Sequence, residues 1–150
     1  MTKKNSYIGI TFIILLFGIY AVPKIVNHFK GSGLVKFNQV PEFSFTNQEG
    51  KKITNKDYEG TVYVVEFFFS TCPTICPTMN KKMVTLQDAF FGNPEFGIAS
   101  ISITPEIDTP AILKEYAKNH GITHKNWHLL TGKSEEVVYA LSNKGFKLYA

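Results

Sequence analysis

The longest unbroken apolar stretch runs from Tyr7 to Val22, sixteen residues without a charge. It is apolar on every helical face, so it does not read as an amphipathic core helix. As a helix it would reach about 24 Å, a little short of the ~30 Å hydrocarbon core of a bilayer. Tyr7 and Tyr20 are placed for the two interfaces, and Ile25-Val26 could extend the span past Pro23-Lys24. The pattern predicts an uncleaved N-terminal transmembrane helix. A cleaved signal peptide is the weaker reading, since Tyr20-Ala21-Val22-Pro23 lacks an A-x-A site. Lys3 and Lys4 favour a cytoplasmic N-terminus, against the pull of Lys24, Lys30 and Lys36. The rest of the chain then faces an oxidising, extracytoplasmic compartment.

Beyond this anchor (1–30) and a Gly-Ser-Gly linker (31–36), residues 37–150 read as one domain. Phe43 and Phe45 alternate as in a half-buried strand, Asn47–Gly50 forms a turn, and Lys51–Thr54 returns as the second arm of a hairpin. Asn55–Gly60 reads as a polar loop. Val62–Phe69 is a continuous apolar run broken only by Glu66, which predicts a central parallel strand covered on both faces. Met79, Met83, Leu86 and Phe90 stripe a helix over Pro77–Phe91, and the methionines read as core packing. Phe96–Thr104 predicts a second parallel strand. Thr109 caps a helix that carries Pro110 at its first position and ends near Gly121. Trp127–Leu130 is a short strand, Ser134 opens another helix ending at Asn143-Lys144-Gly145, and Phe146–Ala150 reads as extended. Strands alternating with helices predict an α/β fold with a central, mostly parallel sheet, flanking helices and an N-terminal hairpin.

Charge excludes some functions. The net charge is +4, all sixteen basic residues are lysine, and they are scattered. Without arginine there is no bidentate reading of phosphate or guanine, so no nucleic-acid partner is expected. Two cysteines cannot make a disulfide framework. Both fall between the Val62–Phe69 strand and the helix after it, as Cys72-Pro73-Thr74-Ile75-Cys76-Pro77. Unpaired amides and the helix dipole favour thiolate at such a point. Thiolate is the form that attacks disulfides and binds metal, with Cu(I) preferred and Zn(II) a competitor. The C-x-x-x-C spacing differs from the C-x-x-C of dithiol oxidoreductases. It can close a disulfide and also leaves room for an ion. Two inert cysteines or a small stapling disulfide remain the bland alternative.

The segment Val62–Pro77, ending in FSTCPTICP, resembles the Sco/SenC family of copper chaperones, whose signature is F-x-x-C-P-x-x-C-P. Ser102–Pro110 (SITPEIDTP), Leu113–Gly121 (LKEYAKNHG), Trp127–Gly132 (WHLLTG) and the single N-terminal anchor are also similar to that family. The resemblance implies a thioredoxin-like fold held outside the inner membrane. It implies Cys72 and Cys76 as copper ligands that also cycle to a disulfide, and copper as Cu(I) or Cu(II). It implies delivery of copper to, or reduction of, the binuclear copper centre of cytochrome c oxidase. The partners expected on this basis are oxidase subunit II or another copper-receiving protein, and a thiol reductant such as a thioredoxin-like protein. The family's third ligand is a histidine well downstream. His28, His120, His124 and His128 do not match it, so it is expected beyond residue 150, and the domain is expected to be incomplete at its C-terminus. With two thiolates alone, Cu(I) would be held and Cu(II) bound poorly. The competing function is an extracytoplasmic thiol-disulfide oxidoreductase using the same pair, with Cys72 attacking.

Overall fold

The computed structural model describes residues 3–29 and 39–148, with side chains described for 9–24 and 39–148. The chain divides into two compact units, Met1–Phe37 and Asn38–Ala150. The first holds one helix, α1, Lys3–Phe29, which continues through Pro23. Its side chains from Ile10 to Val22 are largely exposed. Among the described residues no helix is long and apolar enough to cross a membrane, the fully described stretch of α1 being 9–24. The expected linker, 31–36, lies outside the described residues.

The second unit is a five-stranded mixed sheet. The strands are β1 (Ser44–Asn47), β2 (Lys52–Thr54), β3 (Val62–Phe68), β4 (Phe96–Ser102) and β5 (Trp127–Thr131). Their spatial order is β2-β1-β5-β4-β3. β3, β4 and β5 are parallel, and the β1–β2 hairpin joins β5 antiparallel. Helices α2 (Ile75–Ala89) and α3 (Pro110–Asn119) make the two crossovers, and α4 (Glu135–Ala140) follows β5.

Strand pleating divides the core in two. Phe68, Phe96, Ile98, Trp127 and Leu129 pack with Leu113 and Ala117 of α3, and with Met79, Met83 and Leu86 of α2. Phe45, Ala99, Ile101 and Leu130 pack with Tyr58, Val138 and Leu141 on the other side. The methionines lie against the core, as their helical spacing predicts.

Three expectations change. Among the described residues β3 stands last in the strand order and pairs with β4 alone. β4, buried at every position, lies inside the sheet. A doubly apolar run reports that side chains pack on both faces, as Val64 and Val65 do; it carries no information on how many neighbours the backbone pairs with. Second, the Asn55–Gly60 loop contains a 3-10 turn, Asn55–Tyr58. Asp57 anchors it by accepting the Thr54 amide at 2.7 Å and hydroxyl at 2.8 Å, and Tyr58 enters the core. Third, Phe146 is not extended. The chain after α4 widens into a π-helical turn, Leu141–Phe146, ending at Lys147 in the left-handed region. Gly145 permits this, because a Cβ there would stand 2.9 Å from the Pro41 ring.

Leu113 joins α3 to the sheet with no exposed surface. Leu113→Ala is expected to destabilise the domain by about 2–5 kcal/mol. Val62, 75% exposed on the β3 edge, should tolerate Val62→Lys within about 0.5 kcal/mol while lowering any tendency to aggregate along that edge. Urea denaturation and sedimentation check both; equal losses at the two sites would contradict this core assignment.

Candidate thiol site at the start of α2

β3 ends at Phe68, and the chain turns sharply, with the Cys72 amide donating to the Phe69 carbonyl at 3.2 Å. Helix α2 begins at Ile75, so Cys76 is its second residue and Cys72 precedes it. The N-cap position is Thr74, whose side chain makes no capping hydrogen bond. The Cys72 sulfur lies 4.0 Å from the Thr74 hydroxyl, beside the first amides of the helix, which favour its charged form.

Both cysteines are free thiols that share the core cluster of Phe68 and Trp127. Their environments differ. Both show little surface, 9% for Cys72 and 5% for Cys76, and the two differ in the groups that surround them. The hydrogen bond from Cys76, with the Thr74 and Cys76 amides, lowers the Cys72 thiol to about 6. Burial, then the hydrogen bond to Cys72, pushes Cys76 up to about 11. The two thiols are thus drawn in opposite directions, Cys72 toward thiolate and Cys76 toward the protonated form, the asymmetry of a nucleophile with a resolving partner. Between them Ile75 is 69% exposed.

Two acidic residues that sequence reasoning passed over lie beside the pair. Glu66 is 7% exposed, and its Oε1 accepts from Ser100 Oγ at 2.5 Å; Ser100 in turn accepts from Trp127 Nε1 at 2.9 Å. Glu66 Oε2 is buried without a partner. Burial raises the Glu66 carboxyl above its usual range, and its negative form would press on Cys76. Asp108 is fully buried and accepts from both the amide and the hydroxyl of Ser70, two residues before Cys72. Tyr116 of α3 borders the same region; burial, Glu66 and the two cysteines push its phenol up to about 12. The available sequence signal was a lone carboxyl inside an apolar strand, six residues before the first cysteine.

The histidines are placed elsewhere. His124 Nδ1 accepts the Asn126 amide at 3.1 Å, and its Nε2 stands 3.2 Å from the Phe90 carbonyl, which locks a loop. His128 lies edge-on to Tyr58 beside Asn47. His120 stacks on Tyr116, with centroids 4.0 Å apart. The His28 side chain lies outside those described. Among the described residues no group of three His, Cys, Asp or Glu side chains could hold a metal ion.

A mixed α/β sheet with a thiol pair where β3 runs into α2 defines a protein of thioredoxin-like fold. The chain belongs to the SCO1/SenC family, whose model matches residues 33–150. It is 37% identical over 110 residues to the SCO1 protein homolog of Bacillus subtilis, covering 73% of this chain and 57% of that one. Among solved structures it is similar to BsSco, a member of the Sco family of cytochrome c oxidase assembly proteins in which a disulfide switch is identified. That likeness has a TM-score of 0.69 and 36% identity, over 75% of this chain and 66% of the other. Arabidopsis thaliana ScoI, solved with copper bound, gives a TM-score of 0.59 and 30% identity, over 71% and 65% of the two chains. The chain thus spans little more than half of the Bacillus subtilis relative it matches.

Iodoacetamide should modify the reduced protein at Cys72 first. Its rate should rise as pH passes about 6 and level off above, because the thiolate is the reacting form. Cys76 should stay slow until pH approaches about 11. Peptide mass spectrometry across a pH series reads both, and a shared midpoint in the usual thiol range would overturn the asymmetry.

Proposed function

We propose that this chain is a membrane-anchored metallochaperone whose Cys72 and Cys76 hold copper as cargo for the binuclear copper centre of cytochrome c oxidase, or keep that centre's thiols reduced. The observation that carries the proposal is the sulfur pair at the start of α2, with one thiol already drawn toward thiolate by backbone amides. Its support in kind is a relative solved with copper bound and another described as an oxidase assembly protein. Two soft sulfur donors suit Cu(I) over harder ions. With no further donor grouped near them among the described residues, Cu(I) is the state this pair serves, and tight Cu(II) binding would need a third ligand. Both thiols give up their protons on loading, so affinity falls as pH falls. The recipient on this reading is oxidase subunit II or a similar copper-receiving protein.

The test is a titration of the reduced full chain with Cu(I) against a competing chelator. One ion per chain is expected, and Cys72→Ser/Cys76→Ser should weaken binding by more than about 100-fold, beyond the range seen for outer-shell residues. Equal affinity in wild type and double variant would sink the proposal.

We further propose that α1 is the anchor. At 27 residues it spans about 40 Å, and its exposed apolar side chains need a covering that water does not provide. On this reading Lys3 and Lys4 favour a cytoplasmic start, against the pull of Lys24, Lys30 and Lys36, with the thiol domain across the inner membrane. The full chain should stay in the membrane pellet through alkaline carbonate extraction, and deletion of 7–22 should release it. Extraction of the intact chain would remove the anchor.

The unequal thiols also favour a second reading, a thiol-disulfide oxidoreductase in which Cys72 attacks and Cys76 resolves. Catalytic turnover of a disulfide substrate by metal-free protein, without tight Cu(I) binding, would select it.

A further inference from the structure

Asp108 has no exposed surface, and every hydrogen bond it accepts through its carboxyl comes from a neutral group. Oδ1 takes the Ser70 hydroxyl. Oδ2 takes the Ser70 amide at 3.2 Å, the Ser102 hydroxyl at 2.5 Å and the Thr104 hydroxyl at 3.2 Å. A buried carboxyl is costly unless its lone pairs are used in this way. The residue is itself tied down, because its amide donates to the Thr104 carbonyl at 2.9 Å and the next residue, Thr109, caps α3. One side chain thus joins the end of β4 and the start of α3 to Ser70, 38 positions earlier, in the turn that leads to Cys72.

The turn is also held by packing of Phe69, Cys72 and Cys76 in the core cluster. Its own backbone supplies the Cys72–Phe69 bond, and Ile103 donates to the Phe68 carbonyl at its root. The Cys72 sulfur keeps its place beside the Thr74 hydroxyl, 4.0 Å away, only while the segment from Ser70 to Thr74 keeps its path.

We propose that Asp108 is the positioning residue of the thiol pair, fixing through Ser70 the turn that sets the Cys72 sulfur against Cys76 and the first amides of α2. The role rests on Cys72 and Cys76 being the working pair. Asp108 touches neither sulfur in any hydrogen bond; it acts through Ser70, as a buried support acts on the group that performs the chemistry.

The test separates positioning from stability by cutting different bonds of the one hub. Ser70→Ala removes the hydroxyl bond to the cysteine turn. Ser102→Ala removes a bond to β4 and also the one Ser102 accepts from the Thr104 amide, so it costs the fold more contacts but leaves the Ser70 tie. In the metal-free full chain, the equilibrium constant for forming the Cys72–Cys76 disulfide against dithiothreitol reports how closely the fold holds the sulfurs together. Ser70→Ala should lower it about tenfold, the worth of one charge-assisted hydrogen bond. Ser70→Thr should restore it, and Ser102→Ala should change it by less than about twofold, with urea midpoints showing that both alanine variants fold. An unchanged constant in Ser70→Ala, or an equal fall in Ser102→Ala, overturns the proposal. Because no copper enters the measurement, a chain that shows the Ser70 effect but binds no Cu(I) would refute the metallochaperone reading alone.

Discussion

The start of α2 places unpaired backbone amides and the positive end of the helix beside the Cys72 sulfur, and both favour its charged form. This one interaction sets most of the chemistry of the site. A helix start ordinarily recruits a Ser, Thr, Asp or Asn oxygen. Here Thr74 stands at the N-cap without capping, and the sulfur two residues earlier lies 4.0 Å from its hydroxyl. A thiolate suits such a helix start better than a thiol, so the local need of the helix and the charge state of Cys72 support one another. Cys76, one residue into the helix and turned inward, meets the opposite environment and keeps its proton.

Below the thiols, the side of the sheet that faces α2 and α3 is unusually polar for a core. Glu66 on β3, Ser100 and Ser102 on β4 and the indole N–H of Trp127 on β5 all point to that side, and Asp108 closes the end of the row. Pleating accounts for the alignment, since residues two apart share a face and parallel register sets Glu66 beside Ser100. The opposite side carries the apolar cluster of Phe45, Tyr58 and Val138, with Asn47 a buried polar residue beside it.

Much of the fold was legible. The β1–β2 hairpin, the strands at 62–68 and 96–102, the Thr109-Pro110 helix start and the methionine stripe of α2 follow from short-range pattern and cap chemistry. The α3 start is the clearest case, with Thr109 accepting the Ile112 amide as its position predicts. The place of β3 was not legible, because an apolar run records packing on faces and strand order is a matter of backbone pairing between distant segments. Tyr58 was hidden for a related reason. One aromatic in a polar stretch shows no periodicity, and its burial depends on a 3-10 turn held by Asp57.

The two cysteines, their place before a helix and their family signature were decided by the sequence, because all lie within a few consecutive residues and the physics of a helix N-terminus is local. The groups that draw Cys72 toward thiolate lie within four residues of it, and the sequence already favoured it as the attacking thiol; the tertiary structure decided that burial and Glu66 keep Cys76 protonated. It alone brought Glu66 beneath Cys76 and Asp108 onto Ser70. A lone acidic residue in a sequence gives no sign of its partners; they exist only once parallel strands bring segments more than thirty residues apart into register.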